Sequence, residues 1–213
     1  MQLLCYCSHT SSDALQLGAG TALPTCAVFQ SYLKREGTLE PLHFTLADYN
    51  LDVLRLVTIP NLLLTWVYCT VAAAEGESWN AESDLDVTED LLEEFLLDLT
   101  KRHISIDAIS GGWGPQFETL LSTTCRPSTR LVLASETIYS PATLVPFTRV
   151  LMGSLKGVQM TRALVAAKRM YFGLGGGINE FVSEVEKLGG KVVEVAEETS
   201  AGVSRAILEV LDQ

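Results

Sequence analysis

Residues 15–23 read LQLGAGTAL, and the fold turns on this stretch. Residues 14–17 form a short, mostly apolar strand, Gly18 and Gly20 interrupt it, and residues 24–32 carry a helical pattern. Strand, glycine turn and helix together make the opening unit of an α/β sheet. Glycine reaches backbone angles denied to other residues and lets a ligand approach the main chain without meeting a Cβ. A tight turn with no ligand fits the same residues, so the turn alone decides nothing about chemistry.

Its neighbour adds the missing half. Residues 42–47 make a second strand that ends in Asp48-Tyr49-Asn50. A carboxylate leaving the carboxyl end of the adjacent strand can accept both ribose hydroxyls of an adenosine cofactor. Turn and carboxylate together point to a nucleoside. A nicotinamide fingerprint wants a third glycine where Leu23 stands and an acid about 20 residues on. Here that glycine is missing and Asp48 lies further away, which disfavours a dehydrogenase. No GxxxxGK[ST] occurs, so a P-loop kinase or ATPase is unsupported.

Outward from this unit, short apolar runs keep alternating with amphipathic stretches, the rhythm of parallel strands joined by crossover helices. Residues 52–74 read as a long apolar helix interrupted near Pro60, residues 75–90 as an acidic solvated loop, and residues 91–101 as a helix. Residues 104–110, 131–135 and 164–172 supply three further strands, with a helix over 141–155 before the last of them. Residues 179–188 form a helix that stops at Gly189-Gly190. Residues 191–195 and 203–210 read as a closing hairpin, and the second of these equally as a terminal helix. There is no internal repeat. The expected organisation is a single domain over 1–213, with a short N-terminal segment at 1–13 and the acidic loop at 75–90.

Composition narrows the function. A length of 213 residues suits one α/β domain, and 47% apolar against 19% charged residues excludes intrinsic disorder and coiled coil. With 15 basic and 26 acidic residues the net charge is −11, which argues against direct nucleic-acid binding or an anionic membrane and suits a basic protein partner. Cys5, Cys7, Cys26, Cys69 and Cys125 form neither an even disulfide framework nor a zinc spacing, so reduced and mostly buried thiols are expected. The opening residues lack a basic leader pattern and the apolar run from Leu62 to Ala74 is too short for a bilayer, giving the expectation of a soluble, intracellular protein. His9, His43 and His103 show no HxxxH or HExxH spacing, and Ser135 lacks a GxSxG elbow. Metal catalysis and serine hydrolysis are left without their cues.

Five blocks, LQLGAGTALP, ADYNLDVLRLVTIPN, SGGWGPQF, LASETIYSP and AKRMYFGLGGGINEF, follow one another in that order from Leu15 onward. Their combination resembles the seven-strand methyltransferases that use S-adenosyl-L-methionine, and specifically the eukaryotic protein-histidine methyltransferases. The resemblance implies a Rossmann-like class I methyltransferase sheet of seven strands, with helices on both faces and the last strand antiparallel. It also implies a protein substrate, a histidine of a large-subunit ribosomal protein, and with it a cytoplasmic or nuclear location. By position, Gly18 and Gly20 would lie under the methionine part of the cofactor and Asp48 on its ribose. Tyr49 and Asn50 would flank the adenosine, Gly112 and Trp113 would border the adenine, and Ser135 and Glu136 would face the methyl group. Gln16 stands where the family usually has an acid, and Ala22 at the third small position of the turn. The family carries an N-terminal stretch with a Trp-Glu segment over the cofactor, and this chain is expected to lack that cover.

The residues themselves are compatible with methyl transfer to imidazole. The reaction is an in-line displacement in which a lone pair attacks a sulfonium methyl, so alignment and exclusion of water do most of the work. A histidine, with an ordinary pKa of about 6.5, is largely neutral at pH 7, whereas a lysine at about 10.4 must first lose a proton. Glu136 and Tyr139 form an ExxY pair just past an apolar strand and are the expected substrate positioners, the carboxylate holding the distal imidazole N–H. A helix-start acid with a half-buried tyrosine is the plainer reading of the same pair. Trp113 sits among Gly111, Gly112 and Gly114, placed to stack on a purine or to pack in the core. A lysine or small-molecule methyltransferase of the same fold and a noncatalytic interaction module are the competing functions.

Overall fold

A computed structural model describes residues 12–35, 40–75, 84–123, 129–158, 160–171, 175–200 and 203–212. Cys5, Cys7, Cys125, most of the opening segment, residues 76–83 of the acidic stretch and residues 172–174 of the AKRMYFGLGGGINEF block lie outside them. Seven strands form one sheet: β1 (Ser12–Leu17), β2 (Leu42–Asp48), β3 (Ile104–Ser110), β4 (Thr129–Ser135), β5 (Met160–Lys168), β6 (Gly190–Ser200) and β7 (Val203–Asp212), in the order β3-β2-β1-β4-β5-β7-β6. β1 to β5 run parallel, and β7 slots between β5 and β6 antiparallel to both.

The helices are α1 (Leu23–Leu33), α2 (Leu51–Val53), α3 (Ile59–Glu75), α4 (Glu89–Lys101), α5 (Pro115–Thr123), α6 (Pro141–Leu155) and α7 (Ile178–Lys187), with a π turn over Leu54–Thr58 joining α2 to α3. They divide between the two faces because the central strands are apolar on both sides. Ala14, Phe44 and Leu46 face Phe29, Leu62, Trp66 and Phe95 of α1, α3 and α4. Leu15, Leu17, Val132 and Ala134 face Phe117, Phe147, Leu151 and Phe181 of α5, α6 and α7. A buried ion pair ties the layers' common floor: Arg130 Nε donates to Asp13 Oδ2 at 2.7 Å across the paired starts of β4 and β1, and Arg130 Nη1 donates to Ser154 O. Burial pushes the Asp13 carboxyl above the ordinary carboxylate range, and Arg130 pulls it back.

Three expectations change and one open alternative is decided. β5 spans Met160–Lys168 and not 164–172, because register with β4 fixes its start at Met160 opposite Thr129, and polar Thr161 and Arg162 break the apolar run at its start. The terminal segment is a strand and not a helix: Ala206, Leu208 and Val210 are buried at every second position. Helix α5 follows SGGWG directly, where no helix was expected. The helical run Leu51–Thr70 is long and apolar enough, by length and composition, to cross a membrane, which the shorter run from Leu62 was not. In the fold its inward residues Leu54, Leu62, Leu63, Trp66 and Val67 are buried against the sheet layer. Among the described cysteines, Cys26 is a buried free thiol, pushed up in pKa by that burial, and Cys69 is a half-buried one.

Candidate active site

β1 lies centrally, with β2 on one side and β4 on the other. The chain leaves β1 toward α1 on one face of the sheet and leaves β4 toward α6 on the opposite face, which opens a crevice at their carboxyl ends. Every candidate residue except Trp113 sits on the rim of that crevice or on the loops beside it.

The turn after β1 is built from left-handed residues: Gly18 has φ +70°, Gly20 +51° and Ala22 +57°. Ala22 pays the steric cost of an L side chain in that region, which is why a third glycine is the natural occupant there. Gln16 holds the turn from beneath. It is buried, its amide donates to Ala19 O at 3.2 Å, and its Oε1 accepts from both Thr25 N (3.1 Å) and Thr25 Oγ1 (2.5 Å). A neutral amide, donor and acceptor at once, thus holds the turn without burying a charge.

Asp48 points at the turn. Its Oδ2 accepts from Gly20 N at 2.9 Å and its Oδ1 from Asn50 N at 3.0 Å, so each oxygen keeps a lone pair for a further donor. Asn50 caps α2 through Oδ1, accepting from Asp52 N at 2.9 Å. Tyr49 is 77% exposed, and its ring lies 3.7 Å from where a Cβ on Gly112 would stand. Trp113 is placed elsewhere: its ring packs edge-on against Phe117 (5.0 Å) and Phe147 (6.0 Å) beneath the loop. The exposed aromatic beside Gly112 is therefore Tyr49.

Across the crevice, β4 ends at half-buried Ser135, and Glu136 follows with φ +56°, its N–H anchored to Ala166 O at 2.9 Å. A non-glycine residue held there is strained, and such strain concentrates at functional sites. The Glu136 carboxylate lies between Lys168 Nζ (3.9 Å) and Arg205 Nε (3.8 Å), with the Tyr171 phenol nearby, whose oxygen accepts from Lys168 N at 3.1 Å. Burial first, and then this carboxylate, push the Tyr171 phenol above its ordinary pKa. Tyr139 is 45% exposed with its ring 6.2 Å from that of Tyr171. The loop carrying Tyr139 is backed by Gly176, where a Cβ would come within 2.6 Å of the Tyr139 carbonyl.

Sequence reasoning missed three contributors. Tyr171 has no site role in the sequence pattern, falling within the strand expected over 164–172 and the AKRMYFGLGGGINEF block. Thr137 packs its methyl against Gly18, while its Oγ1 is buried with no partner. Thr58, in the π turn, reaches the Gly20 carbonyl. No single-residue pattern flags any of these; the pairings arise from the topology. His43 is structural: its Nδ1 lies 2.7 Å from Ser105 Oγ within the β2–β3 pair. Among the described residues no cluster of His, Cys, Asp or Glu could hold a metal.

No family model matches the chain. It is 41% identical over 178 residues to Histidine protein methyltransferase 1 of Schizosaccharomyces pombe, a match covering 83% of this chain. It is 35% identical over 220 residues to the Saccharomyces cerevisiae protein of the same name, covering 94% of this chain. The chain is a homologue of the eukaryotic histidine protein methyltransferases. It spans 50% and 57% of the lengths of those two yeast relatives. Among solved structures, magnesium protoporphyrin IX methyltransferase from Synechocystis PCC 6803, with S-adenosylhomocysteine bound, superposes with a TM-score of 0.50 at 8% identity, over 97% of this chain and 74% of that one. The likeness is one of fold: the sheet is that of the class I methyltransferases.

Proposed function

We propose that this chain is the catalytic domain of a protein-histidine N-methyltransferase, which binds S-adenosyl-L-methionine at the Gly18–Ala22 turn and transfers its methyl to an imidazole nitrogen. The observation that carries this reading is the Asp48 carboxylate turned onto the Gly20 N–H at the carboxyl ends of β1 and β2, with lone pairs to spare. Kinship with the yeast enzymes supplies the acceptor class.

The residues present fit the cofactor. A Cβ on Gly20 would meet nothing within 4 Å, so open space lies over the main chain there, and the Thr137 hydroxyl is a buried oxygen in want of a partner. Asp48 would accept the ribose hydroxyls, Tyr49 would offer its exposed ring to the adenine, and Asn50 and Gly112 would line the same side. The bound cofactor supplies an electrophilic methyl on a sulfonium centre.

On the acceptor side the chain's own work is alignment. Glu136, fixed by its backbone bond to Ala166 and by Lys168 and Arg205, would accept the N–H of the ring nitrogen that is not methylated. That contact fixes the tautomer and leaves the other nitrogen's lone pair free for attack. Tyr139 would form the wall of the acceptor pocket. A histidine on a basic ribosomal protein of the large subunit is the substrate this acidic chain fits, and such a substrate puts the enzyme in the cytoplasm or nucleus.

The test is incubation of the chain with methyl-labelled cofactor and dissociated eukaryotic large-subunit proteins, followed by mass spectrometry. Label on a histidine of one basic protein supports the reading. Label on lysine or a small molecule, or none with the cofactor demonstrably bound, rejects it.

A further inference from the structure

The block that contains Asp48 also contains Thr58, Pro60 and Asn61, which the proposed chemistry leaves unused. Pro60 has no N–H, and in a regular α-helix its ring would collide with the carbonyl four residues before it. The helix answers by widening: Leu54–Thr58 is a π turn, in which the Ile59 N–H donates to Leu54 O, five residues back. The widened turn has a second effect. Thr58, fully buried, donates through Oγ1 to Gly20 O at 2.6 Å, and Asn61 Nδ2 donates to Thr21 O at 2.8 Å. Two consecutive carbonyls of the glycine turn are thus held from one side by the helix, while the Gly20 N–H is held from the other by Asp48.

We infer that the proline-induced π turn is a clamp, with Thr58 and Asn61 as positioning residues that hold the glycine turn in its left-handed shape and so prepare Asp48 and Gly20 for an adenosine cofactor. The inference rests on the proposed cofactor site. Its physical content is preorganisation: a turn of three left-handed residues, one of them alanine, relaxes unless its peptide planes are fixed from outside. A valine at position 58 keeps the shape and buries the Gly20 carbonyl without a partner, whereas a serine keeps the hydroxyl.

The experiment compares the unaltered chain with Thr58→Val, Thr58→Ser and Asn61→Asp in two readouts: amide hydrogen exchange at Gly20 in the free protein, and the Kd for S-adenosylhomocysteine. Urea unfolding serves as the control for global stability. Thr58→Val is expected to speed Gly20 exchange and weaken the Kd, each by about tenfold, with Thr58→Ser restoring both. Asn61→Asp turns a donor on Thr21 O into an acceptor at a half-buried position, and should move both readouts the same way even if the valine variant folds poorly. A lower urea midpoint with an unchanged Kd and unchanged Gly20 exchange would make Thr58 merely structural and overturn the clamp. If the unaltered chain binds no S-adenosylhomocysteine, the cofactor reading fails by itself, and the exchange data still decide the clamp.

Discussion

Gly18 sits where the two walls of the crevice touch, against the Thr137 methyl. Replacing it by alanine adds a Cβ on a backbone with φ +70°, and places that atom 2.6 Å from Thr137 Cγ2. The left-handed conformation costs an L residue about 1–2 kcal/mol, and forcing a methyl into the packed Thr137 contact costs about 1–3 kcal/mol more. The expected loss of stability is therefore about 2–5 kcal/mol. The two contributions separate in a double-mutant cycle, because Thr137→Ser removes the obstructing methyl and leaves the backbone cost in place. Gly18→Ala in the Thr137→Ser background should then cost only about 1–2 kcal/mol. Gly20→Ala is the companion: φ is +51°, but nothing lies within 4 Å of the new Cβ, so only the backbone cost applies to stability, while the methyl enters the space left for the cofactor. Urea unfolding followed by circular dichroism measures the unaltered chain and the four variants. Additive losses for Gly18→Ala and Thr137→Ser, or a Gly18→Ala protein as stable as the original, would refute the packing of the two crevice walls against each other.

Three further outcomes follow from the same contacts. Glu136→Gln should cut histidine methylation sharply while leaving the Kd for S-adenosylhomocysteine unchanged, read by mass spectrometry and calorimetry; full methylation in that variant removes Glu136 from the mechanism. Arg130→Met strands the buried Asp13 carboxylate and should cost about 3–5 kcal/mol at pH 7 by urea unfolding, with Asp13→Asn in the same chain recovering part of it. Glu197, whose carboxyl is pulled from 4.5 to about 2 chiefly by Arg169 and then by Ser204, lends stability to the β5–β7–β6 edge that is present above pH 4.5 and lost as pH falls through 2; carbon NMR titration should find its midpoint near 2, moving back toward 4.5 in Arg169→Gln.

What the sequence made legible was the part of the fold written in local signals. The glycine turn after residues 14–17 and the carboxylate ending the second strand are short-range features, and the structure joins them by one hydrogen bond between Gly20 and Asp48. The closing hairpin was half legible: two short apolar runs at 191–195 and 203–210 were visible, but β6 runs on to Ser200, and choosing strand over helix for the second needed the antiparallel seat between β5 and β6. β5 was misplaced because its first residues are solvated and only partner register fixes where it starts. Trp113 illustrates a different limit. Flanking glycines mark a loop, but whether its indole turns outward or inward depends on Phe117 and Phe147, one of them 34 residues away. Pro60 was read as an interruption, and the structure absorbs it in a π turn that carries on into α3.

The most direct test of the central claim is a crystal structure of the chain soaked with S-adenosylhomocysteine. The ribose hydroxyls should lie on Asp48, with the homocysteine end over Gly18 and Gly20. A ligand bound elsewhere on the molecule, or an Asp48 side chain turned away from a nucleoside seated in the crevice, would contradict it.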